Sequence, residues 1–143
     1  MENRITIREA VTENDVAAFW EQLHAYHKRD IFPDSDDDEL EYFLGSGYHD
    51  RMMEIYSRPQ DRCFFLFFRR DGRDIGFAMP VLFTSEDGKC FIMEFCVYPE
   101  FRGSSTGHAC GEALLSWARE RRASYFELNC DTAPRERFWG RLG

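Results

Sequence analysis

Polar and apolar residues alternate from the first turn of the sequence. Arg4-Ile5-Thr6-Ile7-Arg8 changes character at every step, which predicts a short strand with one buried face. Thr12, followed by Asp15 three positions on, has the form of a helix start. Val16, Phe19, Trp20, Leu23 and Tyr26 then recur at helical spacing, so an amphipathic helix is expected over residues 13–29. Pro33 interrupts the chain and an acidic stretch follows at 34–41. Leu40, Phe43 and Leu44 suggest a short helix that Gly45-Ser46-Gly47 ends. Met52, Met53 and Tyr56 suggest one or two more helical turns before Pro59.

The pattern changes at Cys63. Residues 63–68 are rich in strand formers, and Asp71-Gly72 signals a hairpin. Residues 74–83 read as the next strand, with Gly76 and Pro80 as irregular points. After the turn at Glu86-Asp87-Gly88, residues 90–98 form a third strand, apolar on both faces except for Glu94. The three make an antiparallel meander. A loop of small residues follows at 99–106. Cys110, Ala113, Leu114, Trp117 and Ala118 then trace a helix from Gly107 to about Arg122. A strand over 125–128 and a short helix over 133–142, with Pro134 at its first turn, complete the order. Without repeats or a linker, residues 1–143 read as a single α+β domain.

Composition narrows the function. With 43% hydrophobic and 31% charged residues, the chain is not a disordered one. The longest apolar run, 63–68, is too short to cross a bilayer, and the charged N-terminus has no apolar signal core. A cytoplasmic location without membrane attachment is the expectation. The formal net charge of -8 argues against nucleic acid and suits a neutral or cationic partner. The five cysteines include no Cys-x-x-Cys pair, so buried, reduced thiols are expected. His24 and His27 are read as a solvated helix end, because no further ligand falls at metal-binding spacing.

The candidate chemistry lies where strand 90–98 passes through the loop into the helix. Gly103, Ser104, Ser105, Thr106 and Gly107 carry little side-chain bulk, follow Arg102 and sit at a helix start. Such a start offers unpaired N–H groups and the positive end of the helix dipole to an anion, and small residues let a pyrophosphate approach closely. An unliganded strand-to-helix turn has the same composition.

Val97-Tyr98-Pro99-Glu100-Phe101-Arg102-Gly103-Ser104-Ser105-Thr106-Gly107-His108-Ala109 resembles the acyl-CoA loop of the Gcn5-related N-acetyltransferases (GNAT), with Ser105 at a customary glycine. Arg137-Phe138-Trp139-Gly140-Arg141-Leu142-Gly143 is similar to that family's closing motif. The resemblance implies a GNAT-like fold, a mixed, mostly antiparallel sheet flanked by helices. It also implies acetyl transfer from acetyl-CoA to a primary amine of a small molecule or peptide through a ternary complex, without a metal. By that resemblance, Phe95, Cys96 and Val97 hold the pantetheine and thioester beside a splayed strand. The amides from Arg102 to Gly107 take the pyrophosphate, and an amide near Val97 stabilises the oxyanion; His108, just inside the helix, is read as reaching a phosphate or solvent. Glu94 is the candidate base, directly or through water, or else a contact for the substrate ammonium. Asn129 would replace a cofactor-facing asparagine expected about Thr132. Trp139 stands where a tyrosine acid is usual, and indole has no proton to give a thiolate. A non-catalytic acyl-CoA-binding module is the alternative. The acidic stretch 34–41 reads as a solvated face; by the resemblance it would instead border the acceptor site and favour a cationic amine. The sequence ends at Gly143, where the family adds a last strand. A shortened or disordered tail, or a strand from a second copy in a homodimer, is the corresponding expectation.

Overall fold

The computed structural model describes residues 4–28, 46–103 and 105–128. Strand β1 (Thr6–Glu9) leads into helix α1 (Glu13–Tyr26), which Thr12 caps by accepting the Asp15 N–H at 3.1 Å. His27 and Lys28 continue the helix as a wider, π-type turn, and residue 29, the last of the expected span, lies outside the described residues. The short helix expected about 40–44 lies outside the described residues, and helix α2 (Ser46–Tyr56) is longer than the one or two turns expected: Ser46 and Gly47, read as part of a break, belong to its first turn. Its buried residues Tyr48 and Met52 stand one turn apart on the same face.

Strands β2 (Leu66–Arg70), β3 (Arg73–Phe83) and β4 (Lys89–Val97) form the predicted meander, and a 3-10 turn over Pro99–Phe101 leads towards α3 (Thr106–Glu120) and β5 (Tyr125–Glu127). The sheet order is β1-β2-β3-β4-β5, antiparallel except for the β4–β5 pair. Regular pairing of β2 starts at Leu66 rather than Cys63, where only an isolated bridge to Val81 remains. Phe64 gives its N–H to Pro80 O at 3.0 Å, and proline has no N–H with which to return the bond.

Each face of the sheet carries its own core. On one, α1 and α2 pack Phe19, Trp20, Leu23 and Met52 against Phe65, Phe67, Phe77, Met79 and Cys96. Phe19 alone meets three phenylalanine rings at centroid distances of 4.9–5.7 Å. On the other face, α3 packs Cys110, Leu114, Trp117 and Ala118 against Phe68, Ala78, Leu82, Cys90, Ile92 and Val97. Each fully buried large apolar side chain contributes about 1.5–3 kcal/mol.

The predicted irregularities at Gly76 and Pro80 both appear, and both bear on β4. Met79 faces Glu94 while Pro80 faces Ile92, so Met93 is an extra residue, a β-bulge. The bulge exchanges the two faces. Cys90 and Ile92 lie in the α3 core; beyond the bulge it is Phe95 and Val97 that lie there, while Cys96 joins the α1/α2 core. Gly76 pairs with Val97 so closely that an added Cβ would meet the Cys96 carbonyl. Gly76→Ala therefore has to push β4 away at residues 96–97. We expect a stability loss of about 1–3 kcal/mol, seen as a lower Tm in a thermal melt, because overpacking against backbone leaves little room to relax.

Candidate active site

Pairing between β4 and β5 covers Lys89–Phe91 against Tyr125–Glu127. Beyond Phe91, no described strand lies on that side of β4. Tyr98 gives its N–H to Ile75 O at 2.9 Å, on the β3 side. Backbone groups alternate sides along a strand, so those of Phe95 and Val97 point into the open edge and those of Cys96 point to β3. Of the three residues expected to hold a thioester arm, Phe95 and Val97 thus turn their backbone to that edge, and Arg102 already occupies the Val97 carbonyl there. The Cys96 side chain lies on the α1/α2 face. The Phe95 ring lies against Phe68 at 5.5 Å, on the α3 face.

The loop that follows is neither continuous helix nor fully open. Gly103 has φ +98° and Ser105 φ +64°, a left-handed kink immediately before α3. At the customary glycine, Ser105 holds a conformation that costs a side chain about 1–2 kcal/mol. Its hydroxyl does not cap the helix. The Arg102 N–H goes to Pro99 O at 3.3 Å and the Thr106 N–H to Gly103 O at 3.0 Å, so these two expected amides are already used. The Ala109 N–H goes to Ser105 O. Of the other expected amides, that of Gly107 lies with that of His108 in the first turn of α3, where helix geometry supplies no acceptor. The Thr106 side chain is buried and its hydroxyl accepts from Arg70 at 3.4 Å. Arg102 folds back on its own strand, with Nε donating to Val97 O at 2.7 Å. The His108 ring pairs with Glu112 at 2.9 Å instead of reaching over the loop. Ser104, Asn129, Thr132, Trp139 and the acidic stretch lie outside the described residues.

Glu94 is on the opposite face. Without the bulge its side chain would follow Ile92 into the α3 core; with it, the carboxylate turns towards α1 and α2. Its side chain is 11% exposed. Oε2 accepts the Tyr48 hydroxyl at 2.7 Å and lies 2.9 Å from His27 Nε2. A contact this short with an ionised carboxylate requires the Nε2–H form of the ring. The expectation of a solvated helix end is therefore wrong for His27, which is 1% exposed. A signal for it did exist: Trp20, Leu23 and His27 stand at helical spacing, so the ring belongs to the buried stripe of α1, and the π-type turn directs it inward. Tyr48, one turn before buried Met52, had the same signature.

His24, one turn earlier, sits against the Trp20 ring at 5.6 Å. Burial, and then the neighbouring charges of His27 and His49, hold its imidazole below the usual histidine pKa. It lines a cavity of about 690 Å³ between α1 and α2 with Trp20, His49, Met53 and Tyr56, and that cavity does not include Glu94. Among the described residues, no group of three histidine, cysteine or acidic side chains could hold a metal ion. Cys63, Cys90, Cys96 and Cys110 are buried and form no disulfide, as predicted, and Cys130 lies outside the described residues. Burial pushes Cys63, Cys90 and Cys110 up to about 12, so they remain protonated and inert.

A model of the Acetyltransferase (GNAT) family matches residues 17–143. No curated protein matches the chain. Among solved structures it is similar to the PaiA N-acetyltransferase of Thermoplasma acidophilum in complex with coenzyme A. The two are 15% identical over 100% of this chain and 89% of that one, with a TM-score of 0.71. An aminoglycoside acetyltransferase, HMB0005, from an uncultured soil metagenomic sample is 18% identical over 100% and 91%, at 0.65. AAC(6')-Iy in complex with the bisubstrate analogue CoA-S-monomethyl-acetylneamine is 17% identical over 98% and 90%, at 0.60. At such identities these likenesses speak for the fold.

The depressed His24 predicts a pH effect on stability. Below its ordinary pKa of 6.5 the unfolded chain binds a proton that folded His24 resists, so stability falls as pH drops through that value. His24→Gln removes this contribution. Its Tm should fall less than that of the unmodified protein between pH 7.5 and 5.5 in buffered thermal melts.

Proposed function

The chain belongs to the acetyltransferase (GNAT) family, and from that premise we propose that it transfers the acetyl group of acetyl-CoA to a primary amine of a small molecule or peptide by direct attack in a ternary complex. The observation that carries this reading is the open edge of β4, with the uncapped start of α3 on one face and Glu94 on the other. Residues of this chain fit the co-substrate there. The Gly107 and His108 amides, at the positive end of α3, are free for a diphosphate oxygen. The Phe95 backbone faces the open edge, where the amide-rich arm behind the diphosphate would add as another strand does, while Val97 O is already held by Arg102 Nε at 2.7 Å. The Val97 N–H, pointing into the same edge, is the donor for the developing oxyanion.

An alkylammonium has no lone pair, so it must lose a proton before it attacks. Glu94 takes that proton, directly or through one water, breaking an N–H bond and forming an O–H bond on the carboxyl. The freed amine adds to the thioester carbon. Collapse of the tetrahedral species expels the thiolate, which receives the second nitrogen proton through solvent, and Glu94 returns its own proton to water. The sum is ammonium plus thioester giving amide, thiol and one proton. A cationic acceptor suits the chain's net charge of -8. We place the enzyme in the cytoplasm as a single domain; no helix among the described residues is long and apolar enough to cross a membrane.

Thiol release from acetyl-CoA, assayed over a panel of polyamines, aminoglycosides and lysine peptides, tests the activity. Turnover on at least one amine is expected; cofactor binding without turnover at any pH would leave an acyl-CoA-binding module instead. Gly107→Val should weaken acetyl-CoA binding at least tenfold by calorimetry, since a branched side chain would stand beside the free amides; unchanged affinity would mean the loop does not hold the cofactor. Glu94→Gln should lower turnover about 10²-fold near neutrality with little change in cofactor affinity. The deficit should shrink towards about pH 10, where alkylamines deprotonate unaided. A pH–rate profile that overlays the unmodified protein's would remove Glu94 as the base.

A further inference from the structure

Glu94 does not stand alone, and its partners come from two helices far away in sequence. We propose that His27 and Tyr48 are positioning residues for the transfer step: together they hold Glu94 by Oε2 and so reserve Oε1 for the amine proton. This rests on the reading of Glu94 as the base.

Both contacts to the carboxylate use the same oxygen. Tyr48 donates its hydroxyl to Oε2 at 2.7 Å, and His27 Nε2 lies 2.9 Å from it. Among the described residues Oε1 meets no donor, and it is not sealed from solvent. A carboxylate held by one oxygen loses the rotation that would otherwise exchange the two. The proton acceptor then has a fixed position before any substrate arrives, which is where pre-organisation lowers a barrier.

The clamp is itself held. The His27 side chain is 2% exposed, and its ring stands edge-on to Tyr48 at 5.7 Å. Trp20 meets Tyr48 edge-on at 6.0 Å from the other side. Tyr26, the neighbour of His27, packs edge-on against Phe77 at 5.6 Å. The π-type turn at 27–28 matters here as well, because it ends α1 with the imidazole directed at the sheet. During transfer the N–H bond of the ammonium breaks and an O–H bond forms at Oε1. His27 Nε2–H and the Tyr48 hydroxyl keep their own protons throughout.

The test is a double-mutant cycle on the full chain, with spermidine as the acceptor and with water alone, which reads the background hydrolysis of acetyl-CoA. Tyr48→Phe and His27→Leu should each lower kcat about tenfold and leave acetyl-CoA affinity within twofold, because the cofactor loop is on the other face of the sheet. His27→Gln, which keeps an N–H donor, should recover most of the loss. In the Glu94→Gln background both losses should vanish, since each acts through Glu94. Losses that persist undiminished in that background overturn the proposal, as does an unchanged kcat in folded Tyr48→Phe. If Glu94→Gln itself leaves kcat intact, the failure lies with the base and not with the clamp alone. A readout independent of turnover is the ¹⁵N spectrum of labelled histidine. The His27 Nε2 resonance should move in both Glu94→Gln and Tyr48→Phe; a resonance indifferent to both overturns the clamp even if neither acceptor reacts.

Discussion

Met93 has no counterpart on β3, and the whole candidate site follows from that one extra residue. A strand with strict alternation would send residues 94 and 96 to the α3 side, behind Ile92, and bury a carboxylate among Leu114, Trp117 and Ala118. The bulge at Met79/Pro80 reverses the alternation within β4. Glu94 then meets the hydroxyl and imidazole that α2 and α1 supply, and Phe95 and Val97 take the apolar places next to α3. Without a partner of this kind, a carboxylate so little exposed would cost several kcal/mol.

The same strand divides the work of the two faces. On the α3 side the chain turns through a left-handed kink at Ser105, which stops the helix from running back into the loop; the Thr106 N–H turns to Gly103 O, and the Gly107 and His108 amides find no helical acceptor. On the α1/α2 side a dense aromatic core fixes Tyr48 and His27 in place. Between them lies the stretch of β4 beyond Phe91, paired with β3 on one edge and with no described strand on the other. An extended ligand entering that edge would be gripped by backbone on one face while its reactive end meets a carboxylate on the other. Gly76 sets the spacing: because it has no side chain, β3 can approach the Cys96 carbonyl closely.

Much of the architecture was legible in the chain itself. The meander, the α3 stripe and the irregular points at Gly76 and Pro80 follow from periodicity and from the two residues least suited to a central strand. The left-handed conformation of Ser105 is not legible in the chain: the resemblance marks a customary glycine there, and the positive φ is seen only in the structure. The face that Glu94 occupies was less legible. Period-two reading assigns it by parity with Ile92, and parity fails at a bulge that only the pairing with Pro80 creates. His27 was misread for a related reason: near a helix end, polarity suggests solvent, whereas its spacing from Trp20 and Leu23 places it in the core. The Arg102 and Thr106 amides were assigned to a ligand because residue size says nothing about local turns, and the turns at Pro99 and Gly103 consume both.

Amide-resolved NMR of the ¹⁵N-labelled protein, titrated with coenzyme A, tests the account most directly. The account predicts that the perturbations concentrate at Gly107 and His108 and along Phe95 and Val97, while the amides of α1 outside its last turn stay in place. Saturable binding that leaves those four amides unmoved, or shifts gathered instead around the cavity at Trp20 and His49, would contradict it.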